Sequence, residues 1–206
     1  HFFAVDPISA TFVLLAVYGA MLMAERDSAG AAILTGVGVG LAVASKFSAL
    51  PIIAAPVIAA AAVALAGRRN ENSLAPRYFR PALNLALCGG VALFTFAVTS
   101  PYVFLDFGAF LLAVVREQGA MVRGMADMPF TRQYRGTLPY IYFIEQQVRW
   151  GMGWLLGLTG FAGFVWVIVR ALLRRVQVGE IIVLSWLIPY FGFTGLFLAD
   201  RKSTRL

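Results

Sequence analysis

The sequence predicts an all-α fold, a polytopic transmembrane helix bundle of about six spans. Apolar stretches fill most of the chain, and nearly all the charge falls in the gaps between them. Hydrophobic residues make up 60% and charged ones only 13%, a balance that a soluble core of this size does not need. The stretches also approach the ~20 apolar residues that a helix needs to cross a hydrocarbon core of ~30 Å.

The spans run over about 8–24, 30–45, 48–66, 82–100, 152–169 and 181–198. The second is short, a length that local thinning of the bilayer accommodates. Within it Gly36 and Gly40 form a GxxxG pair, the spacing that lets two helices approach closely. Cys88, the lone cysteine, sits inside the fourth span and reads as a small packing residue with no disulfide partner.

Loop charge orders the spans. Lys and Arg favour the cytoplasmic side of short loops. Loop 67–80 carries Arg68, Arg69, Arg77 and Arg80 against Glu71, and loop 170–179 carries Arg170, Arg174 and Arg175. Both read as cytoplasmic, and the turn from Glu25 to Ser28 falls on their side. By parity, Asp6, Lys46 and the external loop 101–150 share the opposite, extracytoplasmic face. Arg116, Arg123, Arg132, Arg135 and Arg149 in that loop run against the charge rule, but long loops translocate largely regardless of charge.

Other classes are disfavoured. The net charge of +7 is spread over many loops with no basic block, so it fits membrane loops and no nucleic-acid partner. There is no GxxxxGK[ST] loop to cradle ATP phosphates, and no GxSxG, HExxH or CxxC. The chain starts at His1 without a signal-peptide pattern and reads as an internal fragment of a longer protein. Residues 1–199 are expected to be part of one transmembrane domain. The charged stretch 200–206 is an atypical tail, a shortened loop or a foreign junction, and no function is placed on it.

Asp6 precedes Pro7 at the start of the first span. One reading is a helix cap set against the positive dipole end. The other is a rim carboxylate, near His1, that holds a divalent metal ion or a substrate hydroxyl. Lys46 lies between two spans with almost no loop. Its ammonium must snorkel to lipid headgroups or meet a phosphate, with Ser45 and Ser48 as added hydroxyl donors.

The external loop is too long for a mere connection. From Phe107 to Met125 it has helical spacing, with Phe107, Phe110, Leu111, Val114, Val115, Met121, Val122 and Met125 on one apolar side and Arg116 and Arg123 on another. This reads as a helix in the plane of the interface. Gln133, Tyr134 and Arg135 follow in a stretch that Pro and Gly keep from being one helix. Stacking rings, amides and two-pronged guanidinium groups suit sugar and phosphate. Glu145 and Arg149 are four apart, the spacing of a helical ion pair or of two substrate contacts.

Taken together these residues resemble the GT-C class of membrane glycosyltransferases, and most closely the glycosyltransferase family 39 group, which includes protein O-mannosyltransferases and the lipid A aminoarabinose transferase. The resemblance lies in His1 to Pro7, in Gly38 to Pro51 with its Lys46, and in Ser100–Pro101–Tyr102 with Asp106, Arg116–Glu117–Gln118, Gln133 to Thr137 and Glu145–Gln146. It covers residues 1 to about 198.

The resemblance implies an inverting transfer of a sugar from a polyprenyl-phosphate carrier to a lipid, glycan or protein acceptor. The site would face outward from a bacterial inner membrane. It implies that Asp6 is an accessory acidic position that orients substrate or supports a divalent metal, and that Lys46 touches the lipid phosphate. His1, Arg116, Glu117, Gln118, Arg123, Gln133, Tyr134, Arg135, Glu145 and Arg149 would then be substrate contacts. The base that activates the acceptor would lie in a first external loop, upstream of His1. A lipid carrier also needs a groove between helices, and Gly36, Gly38 and Gly40 are expected to open one. A transporter or flippase subunit and a non-catalytic membrane scaffold are the competing functions.

Overall fold

The structure is a computed structural model that describes residues 6–66, 78–117, 119–120 and 137–195. The described residues are almost wholly helical, with no strand among them. Among the described residues the α-helices are α1 (Asp6–Arg26), α2 (Ala29–Ser45), α3 (Ala54–Ala66), α4 (Phe79–Thr99), α5 (Tyr102–Leu105), α6 (Phe107–Leu111), α7 (Ile141–Gln146), α8 (Gly153–Leu172) and α9 (Val178–Gly195). A 3-10 turn over Phe47–Ile53 leads into α3, and π-helical turns over Leu112–Glu117 and Gln147–Gly151 extend α6 and α7.

Among the described residues five helical stretches are long and apolar enough to cross a membrane: Asp6–Arg26, Phe47–Ala66, Phe79–Thr99, Gly153–Leu172 and Val178–Gly195. The sixth expected span, α2, is apolar but has 17 residues, the low end of what spans a bilayer. The distribution of side chains makes the same point independently. The buried positions hold small residues such as Ala16, Ala20, Ala32, Ala42, Ala55 and Ala59, while Leu14, Leu65, Leu93, Phe94, Leu155 and Trp166 face outward. Water would reverse that order, and lipid permits it, because small residues let helices approach while large apolar ones meet acyl chains.

The chain divides into two compact units: His1–Leu105 with Gln177–Tyr190, and Asp106–Val176 with Phe191–Leu206. In the first, α1 ends where Asp27 takes a positive φ of 44° and donates its N–H to the Met23 carbonyl. Asp is among the few side chains that tolerate this conformation at a helix end. Ser28 then accepts from the Ala31 N–H at 3.3 Å and caps α2. Two residues thus reverse the chain, and α1 and α2 run antiparallel.

Glycine sets the closeness of that pair. A Cβ at Gly38 would stand 2.7 Å from the Ala16 nitrogen, and one at Gly19 would stand 2.6 Å from Thr35 Oγ1. Thr35 is fully buried and donates its hydroxyl to the Ala31 carbonyl at 2.7 Å. On the other side of α2, a Cβ at Gly36 would meet the Cys88 carbonyl at 2.5 Å, and one at Gly40 would meet the Ala92 carbonyl at 2.6 Å. The GxxxG pair therefore seats α4, as its spacing predicts, and Cys88 is a buried packing residue. The expected lipid groove at Gly36, Gly38 and Gly40 is not there: helix backbone fills the space in front of all three.

The helix ends follow the predicted parity. Asn84, buried near the start of α4, donates from Nδ2 to Asp27 Oδ1 at 2.7 Å. That ties the α1–α2 turn to the beginning of α4. Gly179, at the start of α9, lies against Met21 near the same end of α1. A hydrogen bond to a charged group contributes about 1.5–3 kcal/mol. Asn84→Leu is therefore expected to lower stability by about 2 kcal/mol, read as a lower thermal midpoint in detergent, with Asp27→Asn losing less because it keeps an acceptor.

In the second unit α7 and α8 meet at Met152–Gly153, where Gly153 has φ 75°. A Cβ at Gly157 would stand 2.8 Å from the Val148 Cα, so α8 packs closely on the π-helical turn before it. Arg174 ends α8 with φ 55° and donates to the Ala171 carbonyl. The predicted interfacial helix starts at Phe107, as its pattern requires, and Asp106 caps it by accepting from the Ala109 N–H at 3.0 Å. It is not one α-helix throughout, because it widens into π turns at Leu112. The wider turns shift the angular spacing, so the single apolar side drawn on an α-helical period does not carry past Leu111. Residues 121–136, including Met121, Val122, Arg123 and Met125, lie outside the described residues.

Candidate functional site

Asp6 and Lys46 come together. They are 40 positions apart, and Lys46 Nζ donates to Asp6 Oδ1 in a direct ion pair. The first turn of α1 supplies the carboxylate, at the end where the helix dipole favours negative charge. Lys46 is held by a break in regular helix. Its backbone is extended, with φ −155° and ψ 112°, its N–H caps α2 on the Ala42 carbonyl, and its own carbonyl accepts from Ala49. Pro51 reinforces the break, since it lacks the N–H that an α-helix starting at Phe47 would use. The helix pair thus carries Lys46 to the end of α2 that lies beside the start of α1.

The pair sits at the rim and not in the core. The Lys46 side chain is 38% exposed and that of Asp6 is 66%. An ion pair this open adds at most about 1 kcal/mol to stability when solvated. A lone ammonium at bilayer depth costs about 2.5–3.5 kcal/mol or more, and the carboxylate offsets part of that. The arrangement therefore holds a cation where the end of α2 meets the start of α1. Ser45, expected to add a donor, gives its hydroxyl proton to the Leu41 carbonyl at 2.8 Å, while Ser48 is exposed.

The metal reading of Asp6 fits poorly. Among the described residues no three His, Cys, Asp or Glu side chains gather, and the neighbour of Asp6 is an ammonium. A positive partner opposes a divalent cation at the same oxygens.

The remaining candidates divide. His1, Gln118, Arg123, Gln133, Tyr134 and Arg135 lie outside the described residues. Arg116 and Glu117 belong to the π-helical run after α6, where Arg116 is exposed. Glu145 and Arg149 form the helical ion pair their spacing allows, Nη1 to Oε1 at 2.7 Å. The Arg149 guanidinium also lies 5.9 Å from the Trp154 ring centre. These two side chains satisfy each other locally.

One feature of the second unit escaped the sequence reading. Tyr140 has φ 62° and ψ −47°, and the Ile141 N–H donates to the Pro139 carbonyl at 2.7 Å. That is a γ-turn with the strained sign of φ. The strain is held by the last described turn of α9. The Tyr140 N–H donates to the Gly195 carbonyl at 3.0 Å, and its hydroxyl donates to the Gly192 carbonyl at 3.1 Å. Both acceptors are backbone carbonyls in the last described turn of α9. The ring covers Gly195, where an added Cβ would collide with it, and it lies 5.8 Å from Phe191. Gly195→Ala should expel the ring and open the clasp. Tyr140→Phe should remove one hydrogen bond and about 1 kcal/mol. Protease susceptibility around residue 140 is the measure, and it is expected to rise more for Gly195→Ala.

Together these features define a polytopic α-helical integral membrane protein with a cation–carboxylate pair at one membrane end. Beyond that class, comparison with known proteins gives no match: no family model fits the chain, and no curated protein or solved structure is significantly similar to it.

Proposed function

We propose that this protein transfers a sugar from a polyprenyl-phosphate carrier to an acceptor at the extracytoplasmic face of a bacterial inner membrane. The Asp6–Lys46 pair carries the reading. When the glycosidic bond to the carrier breaks, negative charge builds on the leaving phosphate. A cation fixed at headgroup depth stabilises that charge without reorganising. Lys46 is the group that touches the phosphate, and Asp6 is the positioning residue that holds its ammonium at the end of α2. The acceptor is a lipid, a glycan or a protein.

The distribution of charge supports the orientation. Arg26 and Arg80 lie at the end of the first unit marked by the Asp27–Asn84 bond, opposite Asp6 and Lys46. Positive charge favours the cytoplasm, so Asp6 and Lys46 face outward. A transport path has less support. The buried polar side chains among the described residues are Ser9, Thr35 and Asn84, and none is charged.

The test is sugar transfer from a radiolabelled polyprenyl-phosphate-linked donor in membranes that contain the protein. Lys46→Ala should abolish most of the transfer at equal protein abundance. Full transfer by that variant would overturn the assignment.

A further inference from the structure

The segment just beyond α4 carries an apolar surface that the six spans do not account for. α4 ends at Thr99, with the Ser100 N–H on the Phe96 carbonyl, and Pro101 turns the chain into α5. The Phe104 and Leu105 N–H groups both donate to the Pro101 carbonyl. α5 then folds back on α4. The Phe104 ring meets the Phe96 ring edge to face with centres 6.2 Å apart, and Phe96 lies about a turn inside the end of the span. Yet Tyr102 is 79% exposed and Leu105 is 77% exposed, and Phe104 is largely open as well.

From this we infer that α5 is a lipid-seated wedge, embedded at the boundary between headgroups and acyl chains of the leaflet where α4 ends. The partner is the bilayer itself. The contact to Phe96 sets the depth, because a segment leaving for water would not return to a residue inside the span. In sequence α5 also follows directly on a helix long and apolar enough to cross the hydrocarbon, whose last turns expose Leu93, Phe94 and Val98. Four residues are too few for a stable protein interface, which buries roughly 800 Å² per partner. No charged residue lies within Tyr102–Leu105, so the seat is apolar and not electrostatic. Tyr suits the place, since its ring enters the apolar layer while its hydroxyl stays with the headgroups. The inference does not depend on the sugar-transfer reading.

Spin labelling tests it. Tyr102→Cys and Leu105→Cys are each labelled with a nitroxide and reconstituted in phosphatidylcholine vesicles. The unsubstituted protein, whose Cys88 is buried, serves as the labelling blank. Collisions with oxygen, which concentrates in the acyl layer, are compared with collisions with a water-soluble nickel chelate. The lipid reference is Val98→Cys and the water reference is Glu25→Cys. Both α5 sites are expected to show an oxygen-to-nickel ratio at least several-fold above that of position 25 and close to that of position 98. A ratio like that of position 25 would put α5 in water and overturn the inference. Low collision with both reagents would mean that protein covers it, such as a second copy of this chain, and would overturn it too.

Discussion

Gly38→Val is expected to lower the thermal midpoint of the detergent-solubilised protein by about 6–12 °C, while Gly89→Ala leaves it unchanged or raises it. α2 lies between α1 and α4 with backbone against backbone. In front of Gly38 the nearest atoms are the nitrogen and Cα of Ala16, at 2.7 Å and 2.9 Å from an added Cβ. Neither can rotate away as a side chain would, so α1 must move as a body. Overpacking of this kind costs about 3 kcal/mol, which corresponds to the stated range for a chain of this size. The loss is greater in kind than a cavity elsewhere, because helix association in lipid rests on van der Waals contact and has no hydrophobic force between helices to fall back on. Gly89 has nothing within 4 Å of an added Cβ. There alanine gains about 1 kcal/mol of helix propensity and loses no contact. Equal midpoints for the two variants would show that α2 is not packed as described.

Lys46→Ala is expected to reduce sugar transfer by about 100-fold or more, with a fall in thermal midpoint of only a few degrees. The two effects separate because they draw on different energies. As a structural tie, an ion pair this exposed contributes about 0–1 kcal/mol. As a fixed charge on a leaving phosphate, one donor is worth ~2.7–4 kcal/mol in the transition state, which is about 100- to 1000-fold in rate. Lys46→Arg keeps the charge but changes a compact ammonium into a planar fork, so partial activity is expected. The charge exchange Asp6→Lys with Lys46→Asp separates the roles further. It restores an ion pair and should restore the midpoint, yet it moves the cation to α1 and should leave transfer low. If the exchanged protein regains transfer, the pair is only a tie and the site lies elsewhere.

How far the sequence alone reaches can be judged residue by residue. The helices at Asp6–Arg26, Phe47–Ala66, Phe79–Thr99, Gly153–Leu172 and Val178–Gly195 match the predicted stretches within a few residues. Length and apolarity are read along the chain, and a bilayer demands both. The shared end of Asp6 and Lys46 was also legible, since crossing a membrane an even number of times returns the chain to one side. Tyr140 was not legible. Its γ-turn follows from an anchor on Gly192 and Gly195, more than 50 positions downstream, and no local pattern carries that information.

By itself, then, the sequence determined the class of protein, the order of its apolar helices and that Asp6 and Lys46 share an end. The tertiary structure alone decided that Lys46 bonds Asp6 directly. It also decided that the glycines of α2 receive α1 and α4 and leave no channel for lipid. The reason is physical. In water an amphipathic stripe marks the inward face of a helix. In a membrane both faces are apolar, so which one meets a neighbour depends on the fit of surfaces between helices, and that fit exists only once they are packed.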